Sequence, residues 1–247
     1  MKNFSATIQY DGTRYSGWQR QGNTDNTIES KISMVLSNMT DSDVPVEIHG
    51  SGRTDAGVHA FGQVANFHID TDMTCENIRE YMNRYLPEDI NILEVKEVDT
   101  RFHARLNAKE KTYLYRIDNN KKADVFLRRF THWSPDTYDI DKMKELIYVF
   151  LGKHDFISFS DMKSNKKSTV RDIYSIHIYE KDGIIHIEYT GNGFLYHMVR
   201  KLTAAFMEVG LGVKTIDDIK DILEKQDRQA FKSMAPAKGL ALMKVMY

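Results

Sequence analysis

In the first half of the chain, segments in which every second residue is apolar alternate with segments in which apolar residues are three or four positions apart. A period of two predicts β-strands, and a spacing of three and four predicts helices. The predicted strands cover residues 3–10, 44–49, 63–69 and 90–98. One helix carries apolar residues from Ile28 to Met39 behind a cap at Asn26 or Thr27, and a second runs from a Thr74 cap to Tyr85. The predicted order is strand, helix, strand, strand, helix, strand.

The second half of the chain repeats this order with longer connections. The predicted strands cover residues 111–117, 170–179, 184–190 and 240–245, and the predicted helices cover 141–151, 195–209 and 216–224. Both halves fit the ferredoxin-like split unit. We therefore expect an α+β fold of two such units, with domains at 1–105 and 106–247. The units could share one continuous antiparallel or mixed sheet with helices on one face, leaving the other face to bind something large.

The composition is that of a globular protein outside the membrane. Among 247 residues, 41% are apolar and 28% are charged, and the apolar runs are too short for a spanning helix. The first residues enter a strand pattern without a signal-peptide core. The single cysteine, Cys75, excludes an intrachain disulfide and a cysteine-rich zinc site. We expect a cytoplasmic protein.

Charge is unevenly distributed although the formal net charge is −1. Residues 101–129 hold nine Lys or Arg against three Asp or Glu, and residues 163–171 hold four basic residues and no acid. Residues 80–99 are acidic, with six acids against two basic residues. A local basic stripe is suited to phosphate contacts. Ordinary solvated surface charge explains it equally well.

Residues 50–60 form a glycine-rich stretch between two predicted strands and carry one carboxylate, Asp55. A dinucleotide fingerprint would need glycine at 55, and a Walker loop would need lysine at 58, so neither nucleotide motif is satisfied. Arg53 would help to keep the Asp55 carboxylate ionised. From residue type alone, Asp55 could be a nucleophile, a base or a turn-former.

Four histidines lie near this stretch or downstream of it, namely His49, His59, His68 and His103. Their spacing matches no known pattern of metal ligands. Scattered structural histidines are the better interpretation. No serine nucleophile elbow is present, and Cys75 lies at a predicted helix start.

Two further segments combine aromatic and basic residues. Tyr113 and Tyr115 alternate on one face of a predicted strand among cations, which is typical either of a base-stacking platform or of sheet packing. The neighbouring cations are Lys109, Lys111 and Arg116. In residues 193–201, core packing explains the apolar positions and leaves Arg200 unexplained.

The order of several motifs resembles the tRNA pseudouridine synthase A (TruA) family over the whole length of the chain. The most specific is the active-site loop, Gly-Arg-Thr-Asp-Ala-Gly-Val-His-Ala at 52–60. The others are Tyr-Asp-Gly-Thr at 10–13, Gly-Trp-Gln at 17–19, Phe-His-Ala-Arg at 102–105, Tyr-x-Tyr at 113–115, Phe-Leu-Tyr-His-Met-Val-Arg at 194–200 and Gly-Leu at 239–240.

The resemblance implies a site and an activity. Asp55 would be the catalytic aspartate of a uridine-to-pseudouridine isomerisation that needs no cofactor and no metal. Tyr113 would stack on the flipped uracil, Arg53 and Arg200 would contact phosphate or hold Asp55, and Leu240 would line the pocket. The substrate would be tRNA, at uridines 38, 39 and 40 of the anticodon stem-loop, and the enzyme would be a homodimer that uses no nucleotide cofactor.

Two other classes of function are compatible with parts of the pattern. A non-catalytic RNA-binding module would need the aromatics and the basic stripe without Asp55, although no RNP1-type octapeptide is present. A metal-dependent RNA hydrolase would need His49, His59 and Asp55 to converge on an ion.

Overall fold

The structure is a computed structural model that describes residues 1–162 and 168–247. Residues 163–167, which hold three of the four basic residues of the 163–171 run, lie outside the described residues. In chain order the elements are β1 (Lys2–Tyr10), α1 (Ile28–Met39), β2 (Ile48–Gly50), β3 (His59–Ile69), α2 (Cys75–Tyr85), β4 (Ile90–Val98), β5 (Glu110–Asp118), β6 (His132–Trp133), α3 (Ile140–Phe150), β7 (Gly152–Asp155), β8 (Val170–Lys181), β9 (Ile184–Gly191), α4 (Met198–Gly210), α5 (Ile216–Lys225) and β10 (Leu240–Met246).

The chain forms two compact units, residues 1–109 with 241–247 and residues 110–240. The predicted α+β class is confirmed, since each unit combines a sheet with helices. The C-terminal residues 241–247 belong to the first unit, whereas the sequence-based division assigns them to the second. The exact domain division stays a prediction.

The first unit has the predicted order of strands and helices, β1–α1–β2–β3–α2–β4. Strand β1 pairs antiparallel with both β4 and β3. The other edge of β3 is shared by β2, which is antiparallel, and by β10, which is parallel at Ala241 and Leu242. Thr27 caps α1 and Thr74 caps α2, each through a side-chain oxygen that accepts a backbone N–H in the first turn.

Strand β2 is shorter than the sequence predicts, because it begins at Ile48 and not at residue 44. Val46 donates its N–H to the Ser37 hydroxyl over 2.9 Å, and its carbonyl accepts from the Ser33 hydroxyl over 2.6 Å. The serines of α1 thus take the hydrogen bonds that a strand would have used. Pro45 also lacks a donor.

In the second unit, β5, β9, β8 and β7 form an antiparallel sheet in that spatial order, and the short β6 runs parallel to β5. The sequence analysis missed β6 and β7, which are two and four residues long. Helix α4 begins at Met198, three residues later than predicted, because His197 has a left-handed backbone with φ of 64°. Phe150 is fully buried and contacts the rings of Phe156, Phe159 and Phe206.

In the described ranges, no helix combines the length and the apolar character needed to cross a membrane.

Candidate active site

The glycine-rich loop connects two antiparallel strands, β2 and β3, and its first residues are fixed to β3. Ser51 donates its N–H to the Val64 carbonyl over 2.7 Å and its hydroxyl to Gln63 Oε1 over 2.6 Å. The Gln63 amide then donates to the Gly52 carbonyl over 2.8 Å. Both Ser51 and Gln63 are fully buried, so these bonds are shielded from water. The chain therefore enters the loop along a fixed path.

Thr54, the residue before Asp55, is held through both its side chain and its backbone. Its hydroxyl hydrogen-bonds to the Tyr10 hydroxyl over 2.8 Å, and its carbonyl accepts the Trp18 N–H over 3.0 Å. Burial raises the pKa of Tyr10, so this phenol stays neutral and keeps its proton. On the other side, the Asp55 carbonyl accepts the Val58 N–H over 3.1 Å, which closes a turn around the aspartate. Asp55 itself is partly buried.

Three glycines outside residues 52–60, namely Gly12, Gly17 and Gly50, allow this close packing. A side chain at Gly12 would collide with the carbonyl oxygen of Val58, and one at Gly17 would lie 2.7 Å from the Thr54 carbonyl oxygen. Gly17 also has φ of +96°, which disfavours any residue with a Cβ. A Cβ at Gly50 would lie 2.5 Å from the Trp18 indole nitrogen. The motifs at 10–13 and 17–19 therefore act as the support of the Asp55 loop.

His59, at the end of the loop, also belongs to this support. His59 Nδ1 lies 3.1 Å from the backbone nitrogen of Gly12. Asp11 Oδ1 approaches the same nitrogen to 3.2 Å, and Asp11 also accepts the Thr13 N–H over 2.9 Å. His59 is thus a buried structural histidine that connects the loop to the turn after β1.

Arg53 shares the loop with Asp55, and its side chain is exposed. Its charge acts on Glu29 of α1. Burial raises the pKa of Glu29, and the hydrogen bond from the Arg20 backbone N–H and the charges of Arg53 and His49 partly offset that rise. Arg53, Arg20 and His49 therefore all lie close enough to the Glu29 carboxylate to act on it.

Tyr113, on β5 of the second unit, is 7% exposed. It stands opposite Tyr189 of β9, and the Phe194 ring meets it edge-on with 5.3 Å between ring centroids. Tyr115, two residues along, is completely buried, and its hydroxyl donates to the Pro236 carbonyl over 2.9 Å. Of the two tyrosines of the predicted stacking platform, Tyr115 is therefore a core residue.

Arg200 lies in the first turn of α4 and fixes the segment that leads to Leu240. Its Nε donates to the Ala235 carbonyl over 2.8 Å, and the Ala235 N–H returns a bond of 3.0 Å to the Arg200 carbonyl. Leu240 is 5% exposed and begins β10 after a short 3₁₀ turn at Ala237–Gly239. These bonds explain the presence of an arginine on a helix whose other residues are mostly buried.

A charged cluster at the start of α4 was missed by the sequence analysis. Lys201 is 3% exposed, and its ammonium group lies 2.7 Å from Asp161 and donates to the Phe231 carbonyl over 2.9 Å. His197 Nδ1 lies 2.7 Å from the second Asp161 oxygen. Burial would raise the pKa of Asp161, but the bonds from Lys201 and His197 outweigh it and lower that pKa. No sequence signal links residues 161 and 201, which are forty positions apart.

Two of the four histidines considered above lie together in the first unit. The rings of His49 and His103 stack with centroids 4.7 Å apart. Burial, followed by the charge of His49, lowers the pKa of His103. Over the described parts of the chain, no group of three or more His, Cys, Asp or Glu could hold a metal ion.

The sequence-derived site residues thus fall into two sets. Asp55 and Arg53 share one loop of the first unit, and Tyr113, Arg200 and Leu240 belong to the second unit. That the two sets act on one substrate stays a prediction.

A protein-family model described as tRNA pseudouridine synthase matches residues 6–107 and 146–247. The two matched segments cover most of the chain and include Asp55 and its supporting motifs. The class of protein is therefore that of the pseudouridine synthases, which are isomerases, and the chain belongs to the tRNA pseudouridine synthase family.

Curated relatives match over essentially the full length of the chain. A Bacillus cereus protein named tRNA pseudouridine synthase A 2 is 47% identical over 247 residues, which is 100% of both chains. A Bacillus sp. protein named tRNA pseudouridine synthase A is 49% identical over 242 residues, or 98% of each chain. A Clostridium tetani protein named tRNA pseudouridine synthase A 1 is 46% identical over 248 residues and 100% of each chain. The resemblance drawn from the sequence motifs is confirmed.

Proposed function

We propose that this protein converts uridine to pseudouridine in the anticodon stem-loop of tRNA, at positions 38, 39 and 40, with Asp55 as the essential catalytic group. The observation that carries the proposal is the support of Asp55. The neighbouring Thr54 is bonded from two sides, and close contacts at glycines 12 and 17 leave no space for side chains. Such fixation is what a single catalytic carboxylate requires.

The reaction is a redox-neutral isomerisation. The bond between ribose C1′ and uracil N1 breaks, the uracil turns, and a bond forms between C1′ and C5. The proton leaves C5 and N1 gains one, so atoms and electrons balance without a co-reactant. Asp55 supplies the carboxylate on which turnover depends. A uridine in a stem must first leave the base stack, which costs a few kcal/mol and is offset by stacking in the site.

The remaining site residues bind the substrate. In this proposal Tyr113 stacks on the flipped uracil, and Leu240 lines the pocket beside it. Arg53, which is exposed on the Asp55 loop, contacts backbone phosphate. Arg200 serves the same site by fixing the segment before Leu240, in addition to any phosphate contact. The enzyme works in the cytoplasm as a homodimer and uses no cofactor.

The test is tritium release from tRNA that carries 5-tritiated uridine, performed in the presence of a chelator. We expect release by the wild-type protein. Asp55→Asn should lose turnover, because the neutral amide cannot replace the carboxylate, while tRNA affinity stays within a few fold. Substantial residual activity of Asp55→Asn would refute the assignment of Asp55.

The same experiment separates the other two classes of function. A non-catalytic RNA-binding module would bind tRNA without release from either protein. A metal-dependent hydrolase would cleave RNA only when the chelator is omitted. The binding module gives Asp55 no role, and the hydrolase gives it the role of a metal ligand.

A further inference from the structure

The loop between β5 and β6, residues 119–131, has no role in the site described above and combines an exposed aromatic ring with a strong positive charge. We call it the Phe126 loop. Phe126 is 84% exposed and the adjacent Val125 is 61% exposed. Among the large apolar side chains of the described residues, that of Phe126 is the most exposed. Phe126 and Val125 are neighbours, so the exposed apolar surface is a pair of side chains with polar residues on both sides.

The start of the Phe126 loop is fixed by a buried carboxylate. Asp118, 1% exposed at the end of β5, accepts the Asn120 side-chain N–H over 2.8 Å. It also accepts the backbone N–H of Asn120 and of Asp124, each over 3.2 Å. The Trp133 indole donates to the Asn120 carbonyl over 3.0 Å. The loop is therefore preorganised and does not depend on a partner to take its shape.

The end of the loop is also held by hydrogen bonds. The Phe130 N–H and the Thr131 hydroxyl both donate to the Leu127 carbonyl, over 2.8 and 3.0 Å. The Phe126 N–H donates to Asp124 Oδ1 over 2.7 Å, and the Arg128 guanidinium donates to the Val125 carbonyl. These bonds fix the backbone on both sides of the apolar pair, whose side chains are exposed.

The charge of the loop favours a polyanionic partner. Four exposed cations lie in the loop against one carboxylate, Asp124, which already accepts the Phe126 N–H. The cations are Lys121, Lys122, Arg128 and Arg129. An aromatic ring among cations is the arrangement that binds nucleic acid, because the ring stacks on a base and the cations meet phosphates. A second copy of the chain is a poorer partner, since a two-fold contact would place the same four cations against each other.

We propose that the Phe126 loop is a second RNA-binding element, which contacts the tRNA substrate away from the target uridine. This inference rests on the proposed function. Strand β5 leads from Tyr113 to Asp118, five residues or about 17 Å at about 3.3 Å per residue. The loop therefore begins about 17 Å from the ring proposed to hold the target base, so it would meet a part of the RNA away from the target uridine. In this contact, an unpaired base or the last base of a stem stacks on the Phe126 ring, and the lysines bind neighbouring phosphates.

The first experiment measures equilibrium binding of unmodified tRNA to proteins that carry Asp55→Ala, so that turnover plays no part. Phe126→Ala should weaken binding by about 5- to 150-fold, the range for loss of one base–aromatic stack. Phe126→Tyr should bind like the parent because it keeps the ring. Tyr148→Ala, which removes an 80% exposed ring from α3, is the matched control and should change nothing. Equal affinity of the Phe126→Ala and parent proteins would overturn the proposal.

A second experiment tests the phosphate contacts. Joint substitution of Lys121 and Lys122 by Gln should lower the slope of log K against log salt by about one to two, since each lost phosphate contact contributes about 0.7 to 0.9. The lysines are chosen over Arg128 because Arg128 also holds the loop backbone. An unchanged slope would overturn the phosphate assignment.

A third experiment tests the distance. On a hairpin that ends within four base pairs of the target uridine, Phe126→Ala should bind like the parent, because the RNA no longer reaches the loop. The oligomeric state of Phe126→Ala is measured as well. If this variant became monomeric while each protomer bound tRNA with unchanged affinity, the loop would be a protein interface and the proposal would be overturned. Absence of tritium release from the wild type, with the Phe126 effect on binding intact, would refute only the proposed catalysis.

Discussion

The loop that carries Asp55 and the helical turn that carries Arg200 are held by different kinds of interaction. Uncharged groups dominate around Asp55, namely backbone bonds, the buried hydroxyls of Tyr10 and Thr54, and glycines at the closest contacts. The start of α4 depends instead on Lys201, Asp161 and His197. The support of Thr54 and Asp55 is mostly uncharged, with the Asp11–His59 contact at the far end of the loop, whereas the start of α4 requires an ionised carboxylate.

This difference suits two tasks. The catalytic role proposed for Asp55 requires that it stay within a fraction of an ångström of its working position, and buried hydrogen bonds with steric contacts achieve that. A turn that presents a basic side chain can tolerate a charged support. We expect three substitutions to separate the two arrangements, and they are given in order of decreasing effect.

Gly12→Ala should have the largest effect. Its methyl group would collide with the Val58 carbonyl, and the obstacle is backbone, which cannot rotate away. We expect destabilisation of about 3 kcal/mol or more and loss of turnover, since the loop must shift to relieve the contact. Gly22→Ala is the control, because a Cβ there meets nothing within 4 Å. Thermal unfolding measures the stability of the two variants, and tritium release measures their turnover. Normal activity of Gly12→Ala would contradict the role given to this contact.

Asp161→Asn should have an intermediate effect that depends on pH. It leaves the buried Lys201 ammonium without its carboxylate, at a cost of about 2 kcal/mol after allowing for the 38% exposure of the Asp161 side chain. The folded-state pKa of Asp161 is lowered, so its stabilisation is fully present above its unfolded pKa of about 3.9.

That stabilisation is lost as pH falls through the lower folded-state pKa. The difference in unfolding free energy between the wild type and Asp161→Asn should therefore shrink below about pH 3.9. Denaturant unfolding at a series of pH values measures it. A difference that does not shrink in acid would show that the charge of Asp161 is not what stabilises α4.

Thr54→Val should have the smallest effect on stability. It removes the bond to the Tyr10 hydroxyl while keeping the shape of the side chain, at a cost of about 1–2 kcal/mol. Because this bond is uncharged, the loss should be the same at every pH between 4 and 8. Tyr10→Phe removes the other partner, so a double-mutant cycle with Thr54→Val isolates the pair. Additive losses would mean that the two hydroxyls do not support each other.

Much of the fold and part of the site can be predicted from the sequence. The order of strands and helices in the first unit follows from local periods of two and of three to four, which need no knowledge of distant residues. Asp55 is predicted as the catalytic residue from a motif that is contiguous along the chain. The caps at Thr27 and Thr74 were likewise local signals.

Other features were decided only when distant segments came together. The serines of α1 shorten β2, and Tyr115 proved to be a core residue through its bond to Pro236. The pairing of Lys201 with Asp161 spans forty residues and leaves no periodic trace. A pattern of apolar positions reports which face of an element is buried, but not which partner buries it. The sequence by itself therefore determined most of the elements and led to the proposal of Asp55 as the catalytic residue. The tertiary structure decided how each is held, because hydrogen bonds and steric contacts between distant segments exist only after the chain has folded.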